Sequence, residues 1–279
     1  MLAALLALAS AALWGAADFL GGTSARRLPV LTVALLSQLA GLVTVTILML
    51  ATNSALTQEG AMWGVLAGAV GAGTFTIFYA ALAAGAMSLV APLSAVGAVV
   101  PVAVSMALGD VPGVLALSGI LFALVGVVLI AGREDAPLAL TPRVLALSGA
   151  AALGIGVVLT CLQLGSDSGD SSGIAVVAVA RAASVTAMVG AVLATRTRPS
   201  APARSLGPVF AVGVADTGAN ALFAVASEEG SNTLVALLGS LYPVTTVLLA
   251  RLILAERLAP RQLLGVALAL GGAALVSTG

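Results

Sequence analysis

Apolar runs about 20 residues long recur along the whole chain, and no other feature restricts the fold so strongly. A helix needs about 20 mostly apolar residues to cross the hydrocarbon core of a bilayer. Segmenting at polar and Gly/Pro punctuation predicts ten such spans, near 2–21, 30–51, 61–84, 88–108, 113–132, 143–164, 173–195, 206–227, 233–254 and 261–278. Composition agrees: the 279 residues are 61% hydrophobic and 8% charged, with a mean hydropathy of +1.19, against about 25% charged in soluble domains. The expected class is an all-α polytopic membrane protein rather than one or two soluble domains. The 32 glycines, with abundant Ala, Leu and Val, suit helices that pack closely where lipid supplies no hydrophobic drive between them.

The residue inventory narrows the chemistry. There are 11 acidic and 11 basic residues, every basic one is Arg, and there is no His. The commonest metal ligand and general base is therefore missing. Cys161 is the only cysteine; in its apolar run it reads as structural, and neither a disulfide nor a thiolate cluster is available. The N-terminal stretch "MLAALLALASAALWGAADF" lacks the positive n-region of a signal peptide and reads as the first membrane helix. Nothing points to nucleic acid, a cofactor or a metal.

Helix-start chemistry punctuates the spans. Thr141-Pro142, Asp110 with Pro112, Pro29 and Pro260 sit where an N-cap or first-turn proline belongs, and Asn232 is a candidate cap for the ninth helix. The connections are short, and the longest, "AGREDAPLALTPR", falls at mid-chain. The two halves then resemble each other. One shift superposes Gly85 on Gly230, Ser88 on Thr233 and Leu89-Val90 on Leu234-Val235; a shift one residue longer superposes Asp110 on Glu256, Gly119 on Gly265 and Gly126 on Gly272. Chance matches of Ala, Leu and Val weigh little beside that acid-plus-two-glycine register. The expected organisation is a first repeat over 1–132 (helices 1–5), a connecting loop over 133–142 and a second repeat over 143–279 (helices 6–10). Five is odd, so the two copies must insert in opposite senses. Inverted repeats of this kind belong to secondary transporters, with a central site at the interface of the halves.

The charges segregate accordingly. Arg26, Arg27, Arg133, Arg143, Arg196, Arg198, Arg204, Arg251, Arg257 and Arg261 all fall on one side of a ten-span arrangement. Glu59, Asp110, Asp167, Asp170, Glu228 and Glu229 fall on the other. The positive-inside rule makes the arginine side cytoplasmic and puts both termini outside.

Three stretches carry a likeness to a known family: "LWGAADF" in helix 1, "FYAALAAGAMSLVAPLSAVGAVVPV", and "YPVTTVLLARLILAERLAPRQLLGVALALGGAALV" with its Glu256-Arg257-Leu258 turn, Gln262 and Gly265. The chain resembles the EamA-type branch of the drug/metabolite transporter superfamily over nearly its whole length, as two repeats. The resemblance implies ten helices in a five-plus-five inverted arrangement around a central cavity. It also implies export of small metabolites, often amino acids or related compounds, without ATP. Members of that family usually keep their termini in the cytoplasm and basic residues after helix 2; here that loop contains only Glu59, so the charges favour the opposite insertion.

The candidate site residues are polar groups stranded at depth. Arg181 lies about nine residues into helix 7, where an arginine costs about 3 kcal/mol by insertion scales, so it must face the bundle interior with a partner. Asp216 in helix 8 and Asp18 late in helix 1 are the acids on offer. Asp216 and Asn220 share a helix face, as do Trp14 and Asp18. An Arg181–Asp216 pair has two readings: a lock between helices 7 and 8, or the lining of a wet central cavity that binds the ionic ends of a substrate or carries a proton. Asp18 also reads two ways, as an interior acid or as a solvated residue at the membrane boundary. Gln38, Gln163, Tyr79 and Tyr242 are polar handles that need partners inside the membrane, as interhelical hydrogen bonds or substrate ligands. Pro92, Pro101 and Tyr242-Pro243 are expected to kink their helices. Gly64, Gly68 and Ala72 form a small-residue stripe on helix 3. Glu228-Glu229 read as a solvated loop, and Asp110 and Glu256 as caps or partners for nearby arginines.

These features favour a secondary transporter that exports or exchanges a small polar or zwitterionic metabolite, such as an amino acid, by alternating access. The alternative is a multidrug or quaternary-ammonium exporter, which prefers an unpaired acid among aromatic rings. A membrane-embedded lipid-modifying enzyme would need clustered His, Asp or Ser near one interface, and no such cluster is present. The expected partners are the small-molecule substrate, membrane lipid and protons as a candidate coupling ion. The expected state is a monomer or homodimer, and the expected location is the bacterial inner (cytoplasmic) membrane.

Overall fold

The computed structural model describes residues 1–52, 54–100, 104, 113–131, 141–229, 238–239 and 241–276. Among the described residues the chain is all-helical, with no strand. The helices are α1 (Leu2–Ala25), α2 (Val30–Thr52), α3 (Gln58–Ala84), α4 (Met87–Ala95), α5 (Val114–Ala131), α6 (Pro142–Ser166), α7 (Gly173–Thr195), α8 (Ala203–Glu229), α9 (Tyr242–Ile253) and α10 (Pro260–Val276), and a 3-10 turn, Val96–Ala98, follows α4. Six helices are long and apolar enough to cross a membrane: α1, α2, α3, α6, α7 and, over Ala203–Phe223, α8. With the composition above, this makes the chain an integral membrane protein.

Local chemistry explains several ends. Thr57 accepts from Gly60 N at the start of α3, Thr141 from Val144 N at the start of α6, and Ser172 from Ile174 N at the start of α7; each side chain satisfies an N–H left orphan by the first turn. At Tyr242-Pro243 the described backbone is interrupted: Leu238 and Gly239 are helical, and a new helix opens at Tyr242. Leu241 lies in a turn and Pro243 falls within the first turn of α9, where a residue without an N–H forfeits no bond. Pro92 does sit inside α4, which tightens into the 3-10 turn one residue after Ala95. The backbone of Glu228-Glu229 belongs to the last turn of α8 rather than to a loop. Asn232, Pro101, Asp110, Pro112, Arg133 and the Gly230 and Thr233–Val235 half of the repeat match lie outside the described residues.

Backbones meet where glycine removes the side chain. A Cβ on Gly126 of α5 would stand 2.5 Å from Ala269 N and 2.7 Å from Gly265 O of α10, and one on Gly272 of α10 would stand 2.4 Å from Ala123 N and 2.5 Å from Gly119 O of α5. The order of these contacts makes α5 and α10 antiparallel. The stripe on α3 meets α7: a Cβ on Gly64 would lie 2.9 Å from Val176 O, and one on Gly68 would lie 2.1 Å from Ala180 O. Elsewhere α1 packs on α8, α2 on α7 and α8, α3 on α6, and α9 on α1 and α4.

The helix junctions after α1, α3 and α9 gather at one end of the bundle. There Glu256 accepts from Met87 N at 3.1 Å, Ser88 N at 2.9 Å and Ser88 Oγ at 2.5 Å, which caps α4 with a charge suited to a helix N-terminus. Arg26 pairs with Glu256 at 3.5 Å and donates to Gly85 O at 2.8 Å. At the other end, Thr57 meets Ser168 and Ser171, joining the α2–α3 and α6–α7 junctions.

Candidate functional site

Arg181 is the ninth residue of α7 and only 8% exposed. Its Nη2 pairs with Asp216 Oδ2 of α8, and its Nη1 donates to Gln38 Oε1 of α2 at 2.5 Å. The guanidinium carbon lies 5.6 Å from the centre of the Phe75 ring of α3. One cation is thus met by an anion, an amide oxygen and an aromatic face from three other helices, a combination that offsets the cost of burying it. Two glycines make the reach short enough. A Cβ on Gly213 would stand 2.0 Å from Ser37 O, and one on Gly41 would stand 2.8 Å from Thr217 Oγ1, so α2 and α8 touch along their backbones one turn from the charges. Asn220 shares the Asp216 face, but its Nδ2 donates to the Asp216 carbonyl at 2.6 Å. A cavity of about 20 Å³ beside it is lined by Val45, Leu48, Ile174, Val177 and Thr217, room for roughly one water.

A second group surrounds Asp18. The helix runs on to Ala25, so Asp18 lies seven residues inside α1, and it is partly exposed. Its Oδ2 is buried and has no hydrogen-bond partner among the described residues. Three residues before Asp18, Gly15 abuts the Tyr242 carbonyl of α9. Trp14, one turn before Asp18, meets the Tyr242 ring edge-on at 6.3 Å and the Phe223 ring at 5.4 Å. Tyr79 is buried against Gly21 of α1, where a Cβ would fall 2.5 Å from its ring. Phe75 links the two groups: its ring lies 6.4 Å from Tyr79 and also faces Arg181.

The structure therefore brings together Arg181, Asp216 and Gln38, with Asn220 alongside, and separately Trp14, Asp18, Tyr79 and Tyr242. Gln163 joins neither group. It is exposed on α6, three residues before the helix end, where the amide needs no partner inside the bundle. Phe75 and Phe223 were missed as site residues; Phe75 stands four residues before Tyr79, a spacing that places both on one face.

Comparison with known proteins adds a family match over the second half of the chain. Residues 143–278 match the family model described as the EamA-like transporter family. No curated protein matches the chain. Thirteen chains of solved structures do; one, described only as a crystal structure of a protein, is 21% identical, covers 98% of this chain and 95% of its own, and superposes with a TM-score of 0.65. That likeness speaks for the fold alone, and it extends over both halves of the chain.

Proposed function

We propose that the chain, whose residues 143–278 match the EamA-like transporter family, is a member of that family within the drug/metabolite transporter superfamily and is a secondary transporter working without ATP. It exports or exchanges a small polar or zwitterionic metabolite, such as an amino acid, by alternating access. In this reading the chain is two inverted five-helix repeats, 1–132 and 143–279, joined by 133–142 around a central cavity in a bacterial inner membrane.

The reciprocity of the helix contacts supports the inverted arrangement. The register that superposes α5 on α10 turns the Gly126 contact into the Gly272 contact. Two antiparallel helices are exchanged only by an axis perpendicular to them, which in a membrane protein lies in the bilayer plane, the relation found in inverted-topology transporters. Two further contacts repeat in the same way: Gly213 against Ser37 becomes Gly68 against Ala180, and Gly15 against Tyr242 O becomes Gly156 against Gly97 O. The register that carries Ser37 to Ala180 carries Gln38 to Arg181, so these two hydrogen-bonded side chains are each other's counterparts. The register that carries Gly68 to Gly213 carries Gly71 to Asp216 and Phe75 to Asn220. One copy supplies an acid and an amide where the other supplies a glycine and a ring.

The single observation that carries the function is this charged contact, Gln38 from one half against Arg181 and Asp216 from the other. A static bundle gains little from an ion pair that apolar packing could replace, whereas transport needs polar groups at mid-depth. Counterflow of candidate amino acids in proteoliposomes tests the reading. Wild-type protein is expected to exchange substrate, and Asp216→Asn, which keeps the acceptor and the shape, is expected to abolish exchange while remaining monodisperse in detergent. Normal exchange by that variant would refute the site. A quaternary-ammonium exporter is the second reading, favoured by the contacts of Trp14 with Phe223 and Tyr242 one turn from Asp18.

A further inference from the structure

The end of the bundle that carries Arg26, Arg27 and Arg257 is shut in layers. Asp18 and Gly22 of α1 and Arg26 at its end stand four residues apart, on successive turns of one face. At Gly22, α3 and α4 close in: a Cβ there would lie 2.8 Å from Leu82 Cβ and 2.8 Å from Met87 Cε, and both side chains are fully buried. One turn further out, about 6 Å along the helix, comes the charge. Arg26 donates to Gly85 O at 2.8 Å and reaches Glu256 at 3.5 Å, and Glu256 receives Met87 N, Ser88 N and Ser88 Oγ. The helices whose ends meet there, α1, α3 and α9, carry Asp18, Tyr79 and Tyr242 deeper in. A cap alone does not require this. Thr57, Thr141 and Ser172 cap α3, α6 and α7 with a neighbouring hydroxyl, which costs no desolvation of an ion. For α4 the cap is a carboxylate from 168 residues away, only 8% exposed. Its donors are helix-end N–H groups, one hydroxyl and a half-exposed arginine, all of which water can satisfy if the carboxylate swings out. The opposite end is held without charge, by the hydroxyls of Thr57, Ser168 and Ser171.

We infer that Glu256 is the latch of a gate: its carboxylate holds the α3–α4 junction against α1 over a plug of Leu82 and Met87, and its release opens a path from the arginine end to Asp18. This rests on the transporter reading above and deepens it by naming the contact that one half of the alternating-access cycle must break. Ser88 and Glu256 come from different halves of the chain, so the latch parts only when one half moves against the other.

Thiol accessibility tests the gate without a transport assay. Cys161 is the only cysteine, so Cys161→Ala gives a thiol-free background. There Asp18→Cys puts a reporter of similar size behind the plug, with Tyr79→Cys as a second reporter. Arg27→Cys, in a separate protein, marks which sealed membrane vesicles expose the arginine end. A membrane-impermeant maleimide is applied to vesicles of each orientation. Labelling from the arginine end is expected to be slow while Glu256 is present. Adding Glu256→Gln should speed it at least about tenfold, the change in an opening equilibrium that loss of a charge-assisted hydrogen bond supplies. Labelling from the opposite end should be unchanged or slower. Arg26→Gln, which leaves the Glu256 cap in place, should speed arginine-end labelling about two- to threefold, and it decides the matter if the Glu256→Gln protein is not monodisperse. A rise of equal size from both ends would mark Glu256 as a structural cap and overturn the gate. An unchanged arginine-end rate in both variants would overturn it too. Wild-type counterflow alongside either of those results leaves the transporter reading standing and removes only the latch. One-sided labelling without any counterflow would count against the transporter reading and not against the latch.

Discussion

The Arg181–Asp216 pair allows a quantitative test of whether its two charges are mutually dependent. Their side chains are 9% and 17% exposed, so water screens them little. At an effective dielectric near 20, two unit charges about 4 Å apart attract by roughly 4 kcal/mol, while desolvating each ion costs several kcal/mol. Asp216→Ala leaves a guanidinium that cannot deprotonate, held only by the Gln38 amide and the Phe75 face, the latter worth about 1–2 kcal/mol. The expected loss is about 3–5 kcal/mol, the usual cost of orphaning one member of a buried pair. Arg181→Met should cost less, about 2–3 kcal/mol, because an orphaned carboxyl can escape by taking a proton. The double variant removes both desolvation penalties and is expected within about 1–2 kcal/mol of wild type. Reversible SDS unfolding in mixed micelles, followed by circular dichroism, would measure all three. The expected coupling is about 3 kcal/mol or more; single losses that add to within about 0.5 kcal/mol would show that the two side chains act independently and would refute this account of the buried charges.

Other perturbations test the rest of the structure. Glu256→Ala removes three hydrogen bonds to Met87 and Ser88 together with the Arg26 contact, and thermal unfolding should register a loss of about 2–3 kcal/mol; Arg26→Ala, at a more exposed site, should lose about 1 kcal/mol or less. Gly213→Ala, whose Cβ would meet Ser37 O at 2.0 Å, should cost about 2 kcal/mol or more by prying α2 from α8, whereas Gly149→Ala, with nothing within 4 Å of its Cβ, should be neutral or stabilise by up to about 1 kcal/mol in the same assay. Ala255 has φ +53° just after α9, so Ala255→Gly should stabilise by about 0.5–1 kcal/mol in thermal unfolding, since glycine adopts the left-handed region without the Cβ penalty.

Much of the architecture was legible because lipid imposes a simple rule on backbone and side chain. The span read at 173–195 is α7 to the residue, and Thr141 caps α6 from a Thr-Pro pair visible in the sequence. Glu256 is a cap and an arginine partner, as its position in a turn implied. The misreadings share a cause. Gln163 faces outward, against the expectation of an interior partner, because linear position does not say which side of a helix faces inward. Asp18 reads two ways from sequence because the expected end of the first span, near 21, falls four residues short of the end of α1.

The division between what sequence and tertiary structure decide follows from the same physics. Length and hydropathy determined the helical class and the membrane setting, since hydrocarbon tolerates only a backbone whose polar groups are satisfied locally. Those properties belong to single segments. Which charges neutralise each other was a property of several helices at once, and only the touching backbones at Gly41 and Gly213 brought Gln38, Arg181 and Asp216 within bonding distance. The same packing left the buried Oδ2 of Asp18 without a donor among the described residues. A charge's effect depends on what stands across a few ångströms of low-dielectric space, and residues far apart in the chain supply that.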